Sequence, residues 1–459
     1  MTPQQCDVLV IGAGPSGTSA AIRAAELGAR TVLVTRDAFG GMSATQGPIP
    51  VRTLAHAARL AREAAQLERY GLLTGVVRVD YERLLARARD VVFQARCHST
   101  LSKQATSAGV TLHEHTGTAR FLDPHTVRCE AGPTLSAEKI VICSGGVSRR
   151  LGVPGSELTV TPADAFGLTA VPDSLLVIGA GATGAQVASI FNAFGTRIEL
   201  CHDGPRIVPT EDIDVSNEVA RAFRDHGIAV HEACGPIVRF ESTAGGVRTV
   251  FRDRDPIETQ LAVRCTGWEA DTEGLDLRAA GVRTNARGFI DVDEFRRTSA
   301  AHVFAAGDVI GRSMLVPQAV RDGYIAGANA ASGSLRAVPP DVEPIGSFTD
   351  PEYAKVGLTE EQARAAGEPI VARASYEETT RPIIDGRTRG FCKLVIDRAT
   401  LQIVGCHIVG ERAVEVAQMA AIAMTAQMKI GDLARIPLSF PTYANVFGRA
   451  ALRALHDLG

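Results

Sequence analysis

The stretch CDVLVIGAGPSGTSAAIRAAELGARTVLVTRD, residues 6–37, gives the clearest indication of the fold. An apolar run precedes Gly12, Gly14 and Gly17, and an alanine-rich segment and a second apolar run follow. This order predicts a strand, a glycine turn, a helix and a second strand, the unit that holds the pyrophosphate of a dinucleotide. The first glycine permits the tight turn, the second lets the backbone approach the pyrophosphate, and the third lets helix and strand pack closely. The helix N-terminus offers free N–H groups to the phosphates.

A second copy of the pattern lies at residues 175–203, LLVIGAGATGAQVASIFNAFGTRIELCHD, with Gly179, Gly181 and Gly184. One such fingerprint is weak evidence by itself, but two in the same strand–helix–strand frame indicate two dinucleotide sites. Two sites in one chain imply electron transfer between two nucleotide cofactors.

Three further segments predict strands that end at glycines: KIVICSGGVSRR (139–150), AVRCTGWEADTEGLDL (262–277) and RTSAAHVFAAGDVIG (297–311). After about residue 340 the pattern changes. GFCKLVIDRATLQIVGCHIVG (390–410) predicts antiparallel strands around a turn, and AVEVAQMAAIAMTAQ (413–427) predicts a buried helix. The sequence therefore predicts an α/β protein with two Rossmann-like dinucleotide-binding domains and a C-terminal α+β domain.

The composition limits which binding partners and which cellular compartment we expect. A net charge of −3 over 459 residues gives no reason to expect nucleic acid or an anionic membrane as a partner. No secretory signal and no apolar run long enough to span a membrane is recognisable, so we expect a cytoplasmic protein without a membrane span.

Nine scattered cysteines form no CxxC or zinc-like cluster. We interpret them as small buried hydrophobic residues in a reducing cytosol, and we expect no metal site. Two arginine-rich stretches carry charges at helical spacing. We interpret Arg59, Arg62, Arg83 and Arg87 as solvated helix faces rather than a basic binding patch.

Motifs along nearly the whole chain resemble the flavoprotein disulfide reductases, in particular lipoamide dehydrogenase and the soluble pyridine nucleotide transhydrogenase. They are GAGPSG, the Gly-Gly loop at 40–41, GTARF at 117–121, the Ser-Gly-Gly strand end, the second GAGATG, FAAGDVIGRSMLVPQA, FTDPEYAKVGLTEEQA and the C-terminal FPT. The resemblance implies an FAD-binding domain in two parts, residues 1–150 and 271–338, with an NAD(P)-binding domain, 151–270, between them. It also implies a dimerisation domain, residues 339–459, and a homodimer in which each C-terminal domain completes the partner's active site.

The same resemblance implies the cofactor contacts. The first glycine turn would hold the FAD pyrophosphate, Gly117 to Ala119 would lie near the adenine, and Asp308 would hydrogen-bond the ribityl chain. A turn Asp after Gly is the alternative interpretation of Asp308. The residues expected to bind FAD are Gly12, Gly14, Pro15, Ser16, Gly17, Thr35, Arg36, Gly41, Met42, Ser43, Gly117, Thr118, Ala119, Ser144, Gly145, Gly307, Asp308, Pro317, Gln318 and Ala319. Those expected to bind the nicotinamide nucleotide are Gly179, Gly181, Thr183, Gly184, His202, Arg206 and Gly267.

The active-site loop departs from the family pattern. The family carries Cys-x4-Cys after the Gly-Gly pair, where this chain has Ser43 and Pro48. A dithiol relay needs two thiolate-capable sulfurs within reach of each other. We therefore expect no dithiol–disulfide chemistry at this loop.

The acid–base pair that the family carries near its C-terminus is also replaced in this chain. The family's His-Pro-Thr…Glu becomes Phe440-Pro441-Thr442…Asn445. Phenylalanine cannot exchange a proton and asparagine does not ionise, so the acid that serves a thiolate leaving group is absent too. The transhydrogenase subgroup also has an aromatic residue before Pro-Thr, but it keeps the first cysteine.

A third departure concerns the flavin N5, where hydride arrives. The family's Lys–Glu pair corresponds here to Arg52 and Gln186. That pair leaves a net positive charge, which should make the flavin easier to reduce. The alternative for Arg52 is an ordinary helix-surface residue.

The nucleotide preference rests on the residues about 20 positions past each fingerprint. Thr35, which has a neutral hydroxyl, occupies the place of the carboxylate that usually binds the FAD ribose. In the second half, His202 and Arg206 could receive a 2′-phosphate, whereas Asp203 could take the ribose diol of NAD. We favour NADPH over NADH.

These observations together predict an FAD enzyme that takes hydride from NAD(P)H and passes electrons directly to a small-molecule acceptor, such as a quinone or another electrophile. Ser43, Pro48, Phe440 and Asn445 would shape the acceptor face, with the last two supplied across the dimer. A soluble NAD(P) transhydrogenase is the alternative enzyme. A redox-silent flavoprotein that serves as a binding or assembly subunit is the alternative of another class.

Overall fold

The computed structural model describes residues 3–72, 79–98, 101–338 and 342–457. The chain divides into two compact units. The first comprises Met1–Thr53, Leu85–Arg149 and Gly267–Pro340, and the second comprises Leu54–Leu84, Arg150–Thr266 and Asp341–Gly459.

The strands, in chain order, are β1 (Gln4–Ile11), β2 (Thr31–Val34), β3 (Thr111–His113), β4 (Ala119–Phe121), β5 (Thr126–Cys129), β6 (Thr134–Ile142), β7 (Gly146–Ser148), β8 (Ser174–Ile178), β9 (Arg197–Cys201), β10 (Ala229–His231), β11 (Ile237–Thr243), β12 (Gly246–Phe251), β13 (Ile257–Thr259), β14 (Leu261–Arg264), β15 (Trp268–Ala270), β16 (Val303–Ala305), β17 (Ile345–Ser347), β18 (Tyr353–Gly357), β19 (Ile370–Ser375), β20 (Phe391–Ile396) and β21 (Ile403–Val409).

The α-helices are α1 (Pro15–Glu26), α2 (Gly41–Thr45), α3 (Pro48–Leu67), α4 (Tyr81–His98), α5 (Leu101–Ser107), α6 (Pro162–Phe166), α7 (Ala182–Ala193), α8 (Ile213–Asp225), α9 (Val316–Ser332), α10 (Glu360–Ala366), α11 (Thr380–Ile384), α12 (Ala413–Thr425), α13 (Ile430–Leu433) and α14 (Asn445–His456). Short 3-10 helices cover Glu68–Tyr70, Ser156–Leu158, Asp308–Ile310 and Tyr376–Glu378.

The first unit is built on a seven-stranded sheet. Strands β3, β2, β1 and β6 are parallel in that order, and β16 also pairs with β6 in parallel. Strands β5 and β4 extend it with antiparallel pairing at the beginning of β6. Parallel strands with a glycine turn after the first one bring their carboxyl ends to one edge, where a dinucleotide binds in folds of this type.

Close contact between α1 and α9 covers one face of this sheet. A Cβ added at Gly323 would lie 2.0 Å from the Ser16 carbonyl oxygen, and one at Gly327 would lie 2.2 Å from that of Ala20. Both glycines are therefore required for the approach of α9 to the backbone of α1. Residues on alternate sides of β1, Val8 and Val10 against Leu9 and Ile11, enter two separate buried clusters, as expected of a strand covered on both faces.

The second unit contains a parallel sheet in the order β10, β9, β8 and β14. An antiparallel meander of β11, β12 and β13 follows it in sequence. The same unit holds the C-terminal sheet, with the order β17, β18, β21, β20 and β19 and antiparallel pairing throughout. Helices α12 and α14 pack on that sheet around a common core.

The predicted α/β fold class is confirmed, including both strand–turn–helix–strand units, the antiparallel pair β20–β21 and the buried helix α12. The predicted domain boundaries at 150, 270 and 338 stay a prediction.

The interpretation of the arginines is correct for Arg83 and Arg87, which are exposed, and wrong for Arg59 and Arg62. Arg59 pairs with Glu63 and Glu411, and the Arg62 side chain is only 17% exposed, with hydrogen bonds to Ser189. Helical spacing alone could not reveal partners that lie so far along the chain.

Seven of the described cysteines are buried: Cys6, Cys129, Cys143, Cys201, Cys234, Cys392 and Cys406. Cys265 is intermediate, and the side chain of Cys97 lies outside the described residues. Among the described helices, none is long and apolar enough to cross a membrane.

Candidate functional site

The first glycine turn joins β1 to α1 and has one open face. Gly12 has a φ of +106°, and a Cβ there would lie 2.2 Å from the Cys143 carbonyl oxygen. A Cβ at Gly17 would lie 1.7 Å from the carbonyl oxygen of Gly12, whereas one at Gly14 would meet nothing within 4 Å. Gly12 and Gly17 are thus required by the fold itself. Gly14 instead leaves space in front of the first turn of α1, whose N-terminal N–H groups have no partners within the helix.

The second glycine turn repeats this geometry between β8 and α7. Gly179 has a φ of +94°, and a Cβ there would lie 2.5 Å from the Cys265 carbonyl oxygen. A Cβ at Gly184 would lie 1.8 Å from the Gly179 carbonyl oxygen, and one at Gly181 would meet none of the described residues within 4 Å. Each turn therefore presents an open glycine face at a helix N-terminus, the local geometry that a pyrophosphate needs.

Beside each turn stands a buried hydroxyl that has no hydrogen-bond partner among the residues that the structure describes. Cys143 and Cys265 follow β6 and β14, and their side chains lie where Gly17 and Gly184 must have no Cβ. The next residues are Ser144 and Thr266, whose hydroxyl oxygens are buried and have no hydrogen-bond partner among the described residues. An orphaned polar group in a cradle of this kind fits a polar ligand. Thr266 was missed by the sequence analysis, although the repeated Cys-Ser/Thr-Gly pattern would have identified it.

The loop after β2 carries the residues predicted near the FAD ribose. Thr35 is buried, its N–H donates to the His113 carbonyl, and its own carbonyl accepts from Thr116. Arg36 forms an ion pair with Asp271, with 2.5 Å between Nη2 and Oδ2. The Arg36 guanidinium is therefore held by a carboxylate that the sequence analysis did not identify.

The residues predicted to lie near the adenine are on the turn that leads into β4. Gly117 has a φ of +65°, and the Thr118 N–H donates to the Glu130 carboxylate at 3.2 Å. Ala119 is buried at the start of β4. These residues shape a turn at the edge of the first sheet.

The residues after β16 that the sequence predicts to bind FAD begin beside the first glycine turn. A Cβ at Gly307 would lie 2.5 Å from the Ser16 hydroxyl oxygen, so Asp308 begins its 3-10 helix beside α1. Burial raises the pKa of the Asp308 carboxyl above its usual value. Pro317 and Ala319 lie in the first turn of α9, and Gln318 between them donates to Asp322 at 2.9 Å.

The Gly-Gly loop packs directly on the first glycine turn. The Gly40 N–H donates to the Ala13 carbonyl at 3.0 Å, and a Cβ at Gly41 would lie 2.8 Å from the Gly14 Cα. Met42 lies in α2, and its carbonyl accepts from Gln46 and Gly47. The Ser43 hydroxyl donates to the Gly40 carbonyl at 3.0 Å.

Two residues mark the start of α3. Pro48 is the first residue of the helix, where its missing N–H costs no hydrogen bond, and Arg52 follows one turn later. On α7, Gln186 donates to the Ala182 carbonyl at 3.2 Å.

Around the second turn, the His202 ring accepts a hydrogen bond at Nδ1 from the N–H of Ala180 at 3.4 Å. Arg206 donates through Nη2 to the Pro209 carbonyl, while its Nη1 is buried without a partner among the described residues. Asp203 points to solvent with 86% of its side chain exposed. Thr183 lies in the first turn of α7, and Gly267 has a φ of +108° with open space at its Cβ position.

The C-terminal segment before α14 exposes an aromatic ring. Phe440 is 74% exposed and precedes Pro441. The Asn445 amide accepts from the Thr442 N–H at 2.9 Å and donates to the Ser439 carbonyl at 3.3 Å. Asn445 therefore stabilises the turn that presents Phe440.

Comparisons with known proteins agree with this architecture. Residues 6–323 match the family model described as pyridine nucleotide-disulphide oxidoreductase, and residues 344–451 match the model of its dimerisation domain. A dihydrolipoyl dehydrogenase of Haloarcula marismortui is 33% identical over 465 residues, which cover 98% of this chain and 96% of the relative. A mercuric reductase of Lysinibacillus sphaericus is 30% identical over 468 residues, with 98% of this chain and 83% of the relative covered.

The fold is also that of a solved structure, the HOCl-induced flavoprotein disulfide reductase RclA from Escherichia coli. The TM-score is 0.87 at 23% identity, and 97% of this chain and 99% of that chain are covered. The dimerisation domain supports a homodimer. The chain belongs to the pyridine nucleotide-disulphide oxidoreductase family, whose members use FAD and NAD(P)H.

Proposed function

We propose that this protein is an FAD-dependent NAD(P)H oxidoreductase that works without a redox disulfide and passes electrons directly to a small electrophile such as a quinone. The observation that carries the proposal is the loop against the first glycine turn. It has Ser43 and Pro48 where the family pattern has two cysteines, and the Ser43 hydroxyl is engaged by the Gly40 carbonyl. Neither side chain can accept or release electrons.

The chemistry of the remaining thiols supports this proposal. Burial raises the pKa of Cys143 and Cys265 to about 12, and burial also raises that of Cys6 to about 11. A protonated thiol is a poor nucleophile, so these cysteines cannot serve as relay residues at neutral pH. Cys234 has a lowered pKa, but it lies beyond β10 in the second sheet, far along the chain from the loop.

The residues of the first unit fit FAD. Gly14 leaves the open face for the pyrophosphate, the Ser144 hydroxyl offers an unused hydrogen-bonding group, and Asp308 stands beside α1. When bound, FAD would supply the chemistry of accepting hydride from a nicotinamide and releasing electrons to an acceptor. We assign the tuning of that chemistry to Arg52 and Gln186, because one is a cation and the other is neutral, where the family has a lysine and a glutamate.

The second unit favours NADPH. The Nη1 of Arg206 is buried without a partner among the described residues, so it can donate to an anionic group without losing an existing bond. His202 is already oriented by the Ala180 N–H. Because Nδ1 accepts this bond, the neutral ring carries its proton on Nε2, so His202 and Arg206 each offer an N–H that suits a 2′-phosphate. The exposed Asp203 is the residue that would serve NADH instead.

The acceptor side contains an aromatic ring and a neutral amide. Phe440 is exposed, and Asn445 is committed to its turn, so neither group supplies a proton to a leaving thiolate. When a planar or apolar acceptor takes electrons directly from flavin, no leaving thiolate has to be protonated, so this proton donor is not needed. We therefore favour a quinone-like acceptor over a disulfide.

Anaerobic titration of the purified holoenzyme with NADPH and NADH tests the proposal. We expect two-electron bleaching of the flavin, with NADPH effective at the lower concentration, and no long-wavelength thiolate-to-flavin charge-transfer band. Appearance of that band would contradict the absence of a thiol relay. A flavin that neither nucleotide reduces would favour the redox-silent subunit.

Acceptor assays then separate the remaining alternatives. The reduced enzyme is mixed with quinones, oxidised nicotinamide nucleotide, oxygen, small electrophiles and lipoamide. We expect the fastest reoxidation with a quinone or another small electrophile. Preferential reoxidation by oxidised nicotinamide nucleotide would indicate a transhydrogenase, and turnover with lipoamide would contradict the proposal.

A further inference from the structure

We propose that Arg62 is a positioning residue for hydride transfer, because it fastens α3 to the helix of the second glycine turn. The inference rests on the proposed function in taking NAD(P)H as the reductant. It adds a residue outside both nucleotide sites, which the family motifs did not identify.

The contact begins with a main-chain carbonyl in the middle of α7. The Nη2 of Arg62 donates to the Ser189 carbonyl oxygen at 2.5 Å and lies 3.2 Å from the Ser189 hydroxyl oxygen. Ser189 is 1% exposed. A cation bound to both the backbone and the side chain of one residue opposes sliding and rotation of that helix.

Asp350 closes the contact into a ring of three residues. Its carboxylate lies 3.3 Å from the Nε of Arg62, and its N–H donates to the Ser189 hydroxyl at 3.1 Å. Each member therefore contacts the other two. Arg387 lies 3.4 Å from the Asp350 carboxylate, so two guanidinium groups share this one carboxylate. The ring joins α3, α7 and the segment before β18.

The ring is poorly suited to be a source of stability. Burial lowers the pKa of Arg62, since the low-polarity surroundings disfavour the charge. The desolvation of a buried ion pair commonly offsets its attraction, and an apolar replacement is often neutral. A buried, directional contact of this kind serves better to select one relative position of two helices.

The position of α7 matters for the reaction that we propose. The helix starts directly after the open glycine turn, and Gln186 lies one turn before Ser189 on the same side of the helix. Helix α3 starts at Pro48 and carries Arg52 in its second turn. The segment of α7 from Ala182 to Ser189 is rich in small side chains, several of them buried by apolar packing that is not directional. Arg62 supplies the fixed point that these residues do not.

Loss of this fixed point should slow hydride transfer more than it weakens nucleotide binding. The glycine turn that holds the pyrophosphate stays intact without Arg62, so affinity should change little. Transfer rates depend on placement of the reacting atoms, and a displacement of about 1 Å can cost about 100-fold. A change in rate without a matching change in affinity is therefore the signature of a positioning role.

The test is anaerobic rapid mixing of holoenzyme variants with NADPH, which separates the limiting rate of flavin reduction from the nucleotide dissociation constant. For Arg62→Met we expect a limiting rate lowered about tenfold or more, with the dissociation constant within about threefold of wild type. Arg62→Lys should recover part of the rate, because it can donate to the Ser189 carbonyl but cannot also bridge to Asp350. Ser189→Ala should show a smaller loss of the same kind.

Arg59→Met is the matched control. Arg59 lies on the same helix and pairs with Glu63 at 2.6 Å and Glu411 at 2.8 Å, neither of which is a member of the ring. It should keep the wild-type rate. Equal limiting rates in the Arg62→Met and Arg59→Met variants would overturn the positioning role. If wild-type flavin is not reduced by either nucleotide, the proposed function fails and the role of Arg62 fails with it. If Arg62→Met does not fold, the Arg62→Lys and Ser189→Ala rates decide.

Discussion

The Nζ of Lys393 lies 2.8 Å from a carboxylate oxygen of Asp212, and both side chains are 1% exposed. Asp214 at 2.8 Å and Glu360 at 2.6 Å complete the environment of this ammonium group. Burial opposes its charge, but the three carboxylates outweigh burial and hold the pKa of Lys393 above its usual value. Burial likewise opposes ionisation of Asp212, yet the bond from Lys393 keeps the pKa of that carboxyl below its usual range.

Replacement of Lys393 by Met should destabilise the protein by about 3–5 kcal/mol at pH 7, because it leaves a buried carboxylate without its cation. The carboxyl groups of Asp212 and Glu360 have lower pKa values in the folded protein than in the unfolded chain. Their charges therefore stabilise the fold above the unfolded-state pKa values near pH 4, and this contribution is lost as the pH falls through the lower folded-state pKa values. The contribution of Lys393 is complete below pH 10.5 and is lost only as the pH rises through its raised value. Chemical denaturation between pH 3 and pH 8 should therefore show the deficit of the variant shrinking in acid.

Lys429→Met is the control, since Lys429 is an exposed lysine of the same unit. It should change the free energy of unfolding little at any pH in this range. A Lys393→Met deficit that stays constant from pH 3 to pH 8 would show that packing, not charge, is responsible.

The two glycine turns were predictable from sequence because their reasons are local. Gly12 and Gly179 need positive φ, and Gly17 and Gly184 face a carbonyl oxygen five residues earlier, so any larger residue is excluded within one short segment. The α/β class followed from the same segments. Sequence spacing thus carries information wherever the constraint lies within a few residues.

The partners of buried charges were not predictable in this way. Lys393 lies in the apolar strand β20, and its carboxylates come from α8, α10 and the residue before α8. Arg62 meets a carbonyl on α7 that lies far along the chain. Such pairs are set by tertiary packing, which one sequence does not reveal. Asn445 shows a further limit, since its amide serves a turn whose geometry only the structure gives.

The ionisation of Glu352 should change the stability of the fold with pH in the direction opposite to that of the carboxylates around Lys393. Burial, with nearby Glu415 and Glu411, raises the pKa of Glu352 from 4.5 to about 7. The folded state then holds a proton that the unfolded state has lost, so stability decreases as the pH rises from 4.5 to 7 and the penalty is complete above pH 7. Glu352→Gln removes that titration. We expect it to stabilise the protein by up to about 3 kcal/mol above pH 7 and to have little effect near pH 4.

The measurement is the difference in unfolding free energy between wild type and Glu352→Gln at several pH values. Glu361→Gln, at an exposed position, should give a flat difference. A flat difference for Glu352→Gln as well would mean that its carboxyl ionises normally in the folded state.

Cys234 should be ionised at a lower pH than Cys6, Cys143 and Cys265, whose pKa values are raised by burial. The hydrogen bond from the Cys201 thiol, helped by the charge of Arg254, outweighs burial and lowers the pKa of Cys234 to about 7. The difference in absorbance at 240 nm between wild type and Cys234→Ser should therefore titrate near pH 7. In Cys201→Ala the transition should move to higher pH, because the donor to the thiolate is gone. Cys6→Ala should leave it in place, and a Cys201→Ala titration identical to wild type would contradict the assignment.

The open glycines should separate cofactor binding from folding. Gly14 and Gly181 have φ values of −72° and −73°, and a Cβ at either would meet nothing within 4 Å in the described part of the chain. Alanine therefore costs the fold little at both positions, but its methyl group fills the space through which a pyrophosphate would approach.

We expect Gly181→Ala to weaken NADPH binding about tenfold or more while melting temperature and flavin content stay at wild-type values. Gly14→Ala should lose flavin and keep a folded apoprotein. Gly184→Ala, whose Cβ would lie 1.8 Å from the Gly179 carbonyl oxygen, should instead lower the melting temperature. Thermal melting, flavin absorbance and NADPH titration of the three variants distinguish these outcomes. Wild-type NADPH affinity in a well-folded Gly181→Ala protein would show that the second turn does not hold the nucleotide.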